Sequence, residues 1–229
     1  DSIAVSGKGF ESKLAPYIEK DLKFHYLPNW SDDLDENLAP VSLGKAKETT
    51  HFTFAGNIGK VQNLENIINA FCLLSTNYQE KSQLNIIGDG SNLQNLKSLA
   101  NKNPNIIFHG KKPRLDMASY YKASDFLIIS LIDKPIFSVT VPAKTQTYIA
   151  AKKPILAIIN GDTASIIQNN NLGLYADPSK IDVISKMFQR CVDMSQTERK
   201  KFTNENDRLL ATIFNKEKTI DKLLKLVVS

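Results

Sequence analysis

The chain has 229 residues, 42% of them hydrophobic, and a formal net charge of +5. That is room for one large domain, or one domain and a fragment; no apolar run reaches the roughly 18 residues that span a bilayer, and Asp1-Ser-Ile-Ala-Val-Ser lacks the basic start and long apolar core of a signal peptide. Two cysteines and the scattered His25, His51 and His109 form neither a disulfide framework nor a metal-ligand cluster, and no nucleic-acid-binding motif accompanies the positive charge. The charge is compatible with an anionic ligand, nucleic acid or an acidic membrane surface, but solvated lysines in a Lys/Asn/Ile-rich composition account for it; no metal site is expected, and two cysteines fit a reducing cytoplasm.

In chain order, an apolar run over 2–5 reads as a strand cut from something longer. Phe10, Leu14 and Tyr17 or Ile18 share a face of a helix over 9–20. A strand over 24–27 ends at Pro28-Asn29-Trp30, with Trp30 a hinge-packing residue. The acidic, unpatterned stretch 31–50 reads as a linker or surface loop. From residue 51, strands over 52–55, 84–87, 105–109, 126–130, 154–159 and 172–175 alternate with helices over 63–78, 91–102, 114–123, 143–151 and 163–169. Of the paired Tyr120 and Tyr121, one is expected in the core and one on the surface. Three amphipathic helices, over about 180–193, 196–213 and 216–228, finish the chain. This alternation predicts an α/β fold with a doubly wound parallel sheet.

In such a sheet, ligands bind at the carboxyl ends of the strands. A glycine stands after three successive strands: Gly56-Asn57-Ile58-Gly59, Gly88-Asp89-Gly90 and Gly110. Glycine accepts backbone angles that other residues resist, and the helix after Gly59 is expected to open its free N–H groups toward the turn, which suits a phosphate. Cations that could join them are Lys60 in the same loop, Lys111 and Lys112 after the third strand, and Lys144 at the start of a later helix.

The order of these segments resembles the nucleotide-sugar-binding half of the family 4 (group 1) glycosyltransferases, which have the GT-B fold. The resemblance rests on Phe54-Ala-Gly-Asn-Ile-Gly59, Asn85-Ile-Ile-Gly-Asp-Gly-Ser91, Ile106-Ile-Phe-His-Gly110 and Tyr120-Tyr-Lys-Ala-Ser-Asp-Phe-Leu-Ile128. Val141-Pro-Ala-Lys144, Tyr148-Ile-Ala-Ala151 and Lys153-Pro-Ile-Leu156 resemble the branch that makes bacterial surface polysaccharide and lipopolysaccharide. What this implies is retaining, metal-independent sugar transfer from a nucleotide donor, a uridine diphosphate sugar by default, with no other cofactor. Residues 1–30 would be the end of an acceptor domain, 31–50 a linker, 51–215 the Rossmann-like donor domain, and 216–229 a helix packing back onto the acceptor domain.

The implied donor-binding residues are Gly56, Asn57, Gly59, Lys60, Gly88, Gly90, Lys111, Ser138, Thr140, Lys144 and Thr147, and no catalytic residue is assigned. The family's first-loop arginine and lysine are here Asn57 and Gln62. Its two glutamates, the second a ribose ligand, are Val139 and Thr147, and its glycine before the next strand is Lys152. These departures favour, as an alternative, a GT-B relative that binds a sugar nucleotide without transferring it. A further reading gives the cluster Arg199-Lys200-Lys201 with Lys216, Lys218, Lys222 and Lys225 a peripheral contact with the inner face of an anionic membrane.

Overall fold

The computed structural model describes residues 2–18, 21–31, 34–44, 48–101 and 103–228. The end of the helix expected over 9–20, parts of the stretch expected as a linker (32–33 and 45–47) and Lys102 lie outside them.

Six parallel strands make the main sheet: β3 (Thr50–Ala55), β4 (Ser82–Ile87), β5 (Ile106–Gly110), β6 (Phe126–Ser130), β7 (Ile155–Ile158) and β8 (Gly173–Tyr175). Their spatial order is β5-β4-β3-β6-β7-β8, so the chain winds outward from β3 in one direction and then from β6 in the other, as the alternation predicts. A smaller parallel pair, β1 (Ser2–Val5) and β2 (Lys23–Tyr26), is joined by α1 (Gly9–Leu14) and a 3-10 turn, Ala15–Tyr17.

Alternating side chains divide the core into two layers. Phe52 and Phe54 of β3 point to one face, where Phe71 of α2 (Leu64–Cys72) and Phe188 of a later helix meet them. The Phe52 and Phe188 rings lie 4.7 Å apart between centroids. Leu127 and Ile129 of β6 point to the other face, against Tyr148, Ile149 and Ile167. Truncating any of these fully buried aromatics costs about 3–5 kcal/mol.

The predicted helices are shorter and more broken than their periodicity suggests. The helix expected over 63–78 divides into α2 and α3 (Thr76–Glu80), because Ser75 is extended and its carbonyl starts a new helix by accepting from the Tyr78 and Gln79 N–H groups. The others are α4 (Leu93–Leu99), α5 (Met117–Ala123), α6 (Pro135–Ser138), α7 (Lys144–Ala150), α8 (Asp162–Asn169) and α9 (Ile181–Asp193). Helix α6 had no periodic signal; it begins on a proline whose fixed φ suits a first turn. The stretch expected over 196–213 is α10 (Gln196–Lys200), a 3-10 turn and α11 (Asn206–Ala211), the break set by buried Phe202 and by Asn206, whose amide donates to the Ile149 carbonyl at 2.7 Å. The last helix, α12 (Lys216–Val228), leaves Leu223, Leu224 and Val227 exposed.

The described part of 31–50 is tied to β4 and to α5. Leu43 is buried and its carbonyl accepts from Gln83 Nε2 at 2.6 Å, while Lys122 Nζ donates to the Leu38 carbonyl at 2.9 Å. Among the described residues no helix is long and apolar enough to cross a membrane.

Candidate functional site

The strand order reverses between β3 and β6, and a crevice opens at the carboxyl ends of strands at such a point. A cleft of about 660 Å³ lies beside it, walled by the 56–57 and 88–90 turns on one side and by Lys111, Lys112, Arg114, Met117 and Tyr121 on the other.

The two glycine turns are bonded to each other. Gly56 N–H donates to the Ile87 carbonyl at 2.9 Å, Ile58 N–H to the Asp89 carbonyl at 2.8 Å, and Asn92 N–H to the Ile58 carbonyl at 2.9 Å. Gly88 N–H continues the row to the Gly110 carbonyl at 2.9 Å. A Cβ on Gly88, at φ 140°, would fall 1.8 Å from the Gly56 carbonyl oxygen, and one on Gly90 would fall 2.4 Å from that of Ile58. These glycines are required by the close approach of two backbones. Asp89 accepts from Gly90 N–H at 2.8 Å, which stabilises the turn.

This welding redirects the expected phosphate contacts. Gly59 N–H donates to Gln62 Oε1 at 3.0 Å, so three of the four loop amides over 56–59 are engaged within the protein. Gln62 folds back as a cap on Gly59 and does not line the cleft. Helix α2 does not open directly on the glycine turn either. A 3-10 turn, Lys60–Gln62, and Asn63 at φ 55° intervene, and the Asn63 amide is committed to the Pro178 carbonyl. Lys60 is exposed and does not line the cleft.

Lys144 is placed differently. From the start of α7 its side chain runs back under the first loop, and its Nζ sits 4.0 Å from the Phe54 ring centroid. A Cβ on Gly56 would come within 2.9 Å of that ammonium. The stem keeps some exposure while the ammonium itself is enclosed, and burial alone pulls its pKa down from 10.5 to about 8. Among the described residues no hydrogen bond or ion pair holds it. Lys144 thus places a buried ammonium, held against the Phe54 ring, beside a glycine turn at the sheet's switch point.

Thr147 lies one turn along α7. Its hydroxyl makes a long contact with the Ala143 carbonyl, 3.4 Å, and the residue lines a groove that continues past Arg114, Met117 and Tyr121. Ser138 and Thr140 lie elsewhere. Their hydroxyls donate back to the Pro135 and Ile136 carbonyls, both at 2.8 Å, and neither residue lines the cleft. Of the sequence candidates, Gly56, Asn57, Gly88, Gly90 and Lys111 line one cleft, Lys144 and Thr147 border it, and Gly59 is buried behind the loop.

Arg114, Met117 and Tyr121 are cleft residues that periodicity assigned simply to a helix. The one local cue was Pro113-Arg114 following a glycine turn. Tyr121 is buried and Tyr120 half-buried against His109, 5.9 Å between ring centroids. Tyr148 is fully buried, and its hydroxyl meets Ala55 N at 3.2 Å and Ala55 O at 3.3 Å, which shores up the residue before Gly56. Among the described residues no group of His, Cys, Asp and Glu could hold a metal ion.

Residues 35–209 match the family described as Glycosyl transferases group 1. The chain is 23% identical over 204 residues to the probable glycosyltransferase WbjE of Pseudomonas aeruginosa, covering 85% of this chain and 50% of that protein. Among solved structures it is similar to sucrose-phosphate synthase from Thermosynechococcus elongatus (TM-score 0.79, 15% identity, 99% of this chain and 57% of that one). It is likewise similar to a TarM mutant of S. aureus in complex with fondaparinux, alpha-GlcNAc-glycerol and UDP (TM-score 0.77, 11% identity, 100% and 44%). The chain thus spans about half the length of the proteins it matches.

Proposed function

The chain belongs to the group 1 glycosyltransferases, and from that premise we propose that it is the half that binds the sugar nucleotide, in an enzyme that transfers the sugar with retention and without a metal. The observation that carries this reading is the enclosed Lys144 ammonium beside Gly56, with no counter-charge among the described residues. As the sugar bond breaks, negative charge grows on the diphosphate, and a preorganised cation in a water-poor site stabilises it strongly. Lys144 takes the part that a first-loop arginine and lysine play elsewhere in the family, with Asn57 and Lys60 at the open side of the loop.

The nucleoside then lies in the cleft between the 88–90 turn and Lys111, Arg114 and Met117, and its ribose reaches the groove at Thr147. Uridine diphosphate is the default, a choice supported by the UDP bound in the similar TarM structure. Residues 1–30 read as the end of an acceptor domain, consistent with the chain spanning half of its relatives. The acceptor read from the 141–156 motifs is a surface polysaccharide or lipid-linked sugar, met at the cytoplasmic face of a membrane. The basic surface available for that face excludes Arg199, which is buried in an ion pair with Asp125. A binder without transfer is disfavoured, since the matched family and the curated relative are both transferases.

Calorimetric titration with UDP, GDP, ADP and CMP tests the reading. Binding of one nucleotide, lost in Lys144→Ala, is expected; no binding of any at millimolar concentration overturns it.

A further inference from the structure

A second pocket, of about 520 Å³, lies between the β1–β2 unit, α8 and the junction of α11 with α12. It shares no lining residue with the nucleotide cleft. Its volume falls within the roughly 300–1,000 Å³ of small-molecule sites. Much of its wall is apolar: Val141, Ile166, Leu209 and Phe214 line it. Ile213 lines it too and is 42% exposed, so an apolar surface leads from solvent into the cavity.

The polar lining groups divide by what already holds them. Asn170 donates to the Ile166 carbonyl at 2.9 Å and accepts from Arg208 Nη2 at 3.0 Å. Thr212 Oγ1 donates to the Arg208 carbonyl at 2.6 Å, and Asp162 Oδ2 accepts from Gly9 N–H at 2.8 Å. The side chains of Lys8, Lys222, Ser165 and Asn169 and the Tyr26 hydroxyl have no hydrogen bond or ion pair among the described residues. Lys8 rests over the Tyr26 ring, its Nζ 5.5 Å from the centroid. Burial, and then Asp162, raise the Tyr26 pKa above its ordinary 10.0, so the phenol keeps its proton. Every free group can therefore donate a hydrogen bond, and two of them are cations. That set selects an anion on an apolar body. A planar carboxylate is matched best by an arginine fork, whereas lysine binds phosphate as a point charge. A phosphate monoester also carries between one and two charges at neutral pH, enough for both ammonium groups.

We propose that this pocket binds a phosphate monoester carrying a single apolar chain, its phosphate met by Lys8 and Lys222 and its chain lying along Phe214 and Ile213. The site is separate from the nucleotide cleft and does not rest on the donor-binding reading. Asp162 is the one carboxylate in the lining. Its charge opposes the phosphate, which gives the proposal a consequence of opposite sign to that of the lysines.

Calorimetric titration of the 229-residue chain with dodecyl phosphate, below its critical micelle concentration, tests this, with dodecanoate and inorganic phosphate as comparisons. Fluorescence of Trp30, the single tryptophan and two residues past Pro28 of the pocket wall, is a second readout. Saturable binding at one site is expected, about five-fold tighter for dodecyl phosphate than for dodecanoate, with UDP not competing. Lys8→Ala and Lys222→Ala, both at exposed positions that the fold does not need, should each weaken it about five-fold. Asp162→Asn, which keeps an oxygen for Gly9 N–H, should tighten it. Ile213→Asp should weaken it about ten-fold or more by removing apolar contact and adding a like charge. No saturable binding overturns the proposal, as does displacement by UDP or affinity unchanged in the Lys8, Lys222 and Asp162 variants. Dodecanoate binding as tightly as dodecyl phosphate overturns the choice of phosphate, and inorganic phosphate binding as tightly overturns the part given to the chain.

Discussion

At the scale of single residues, Lys144 sets up an opposition between stability and binding. Its pKa is about 8 in the folded chain against 10.5 when free. Between these values the unfolded chain holds the extra proton, so this group makes stability rise as pH increases from about 8 to 10.5, and below about 8 the enclosed charge is a cost of at most about 3 kcal/mol. Lys144→Met is therefore expected to raise the unfolding free energy of the unliganded chain at pH 7 by about 1–3 kcal/mol in urea titrations. The same change should weaken UDP about 100-fold. In the wild type UDP affinity should fall as pH rises through 8, because the diphosphate selects the charged ammonium; a flat profile between pH 7 and 9 would remove Lys144 from the site. Gly88→Ala is the complementary test of the loop. Its Cβ would strike the Gly56 carbonyl oxygen, so a loss of about 2 kcal/mol or more and of nucleotide binding is expected.

At the scale of elements, the junction between α7 and β7 holds a strained residue. Lys152 sits at φ 52°, in the left-handed region that glycine adopts most easily. The other non-glycine residues at positive φ are asparagines, 63, 101 and 171, which tolerate that region best. The exposed Lys152–Asp207 pair, 2.8 Å apart, returns little. Lys152→Gly should therefore stabilise the chain by about 0.5–1 kcal/mol, read by urea unfolding. Helix α10 is anchored by Arg199, which donates to Asp125 Oδ1 at 2.7 Å, Thr50 Oγ1 at 2.9 Å and the Cys191 carbonyl at 3.1 Å. Replacing it by methionine would take the cation from Asp125, which keeps the His51 N–H bond, and should cost about 1–3 kcal/mol. The charge run 199–201 looked like a single basic surface because a sequence does not show which arginine turns inward.

For the whole molecule, a ligand that binds only the folded state stabilises it by mass action, by about 2.7 kcal/mol at 100 times its dissociation constant. A chain of this size should then melt about 5–10 °C higher with saturating UDP, and the Lys144→Ala chain should show no such shift. What the alternation of strands and helices predicted, a doubly wound parallel sheet, is what folds. The β-runs were readable because two-residue periodicity and apolar content are local properties, and so were the glycine turns that end them. Helix lengths were not, since the extended Ser75 interrupts a stretch with no periodic cue, and the break at Phe202 depends on packing against other elements.

By itself the sequence determined where the strands end, which turns need glycine, and the family to which that succession belongs, because each is written in a few neighbouring residues. Only the tertiary structure decided which polar groups meet. It bonded the amides of the first loop to the second turn, returned the Ser138 and Thr140 hydroxyls to their own helix, and turned Gln62 back on Gly59. It also brought Lys144, far along the chain, beneath Gly56 with no counter-charge among the described residues. The physical reason is that hydrogen-bond satisfaction and burial of charge depend on neighbours in space, and those exist only once the sheet has closed around its switch point.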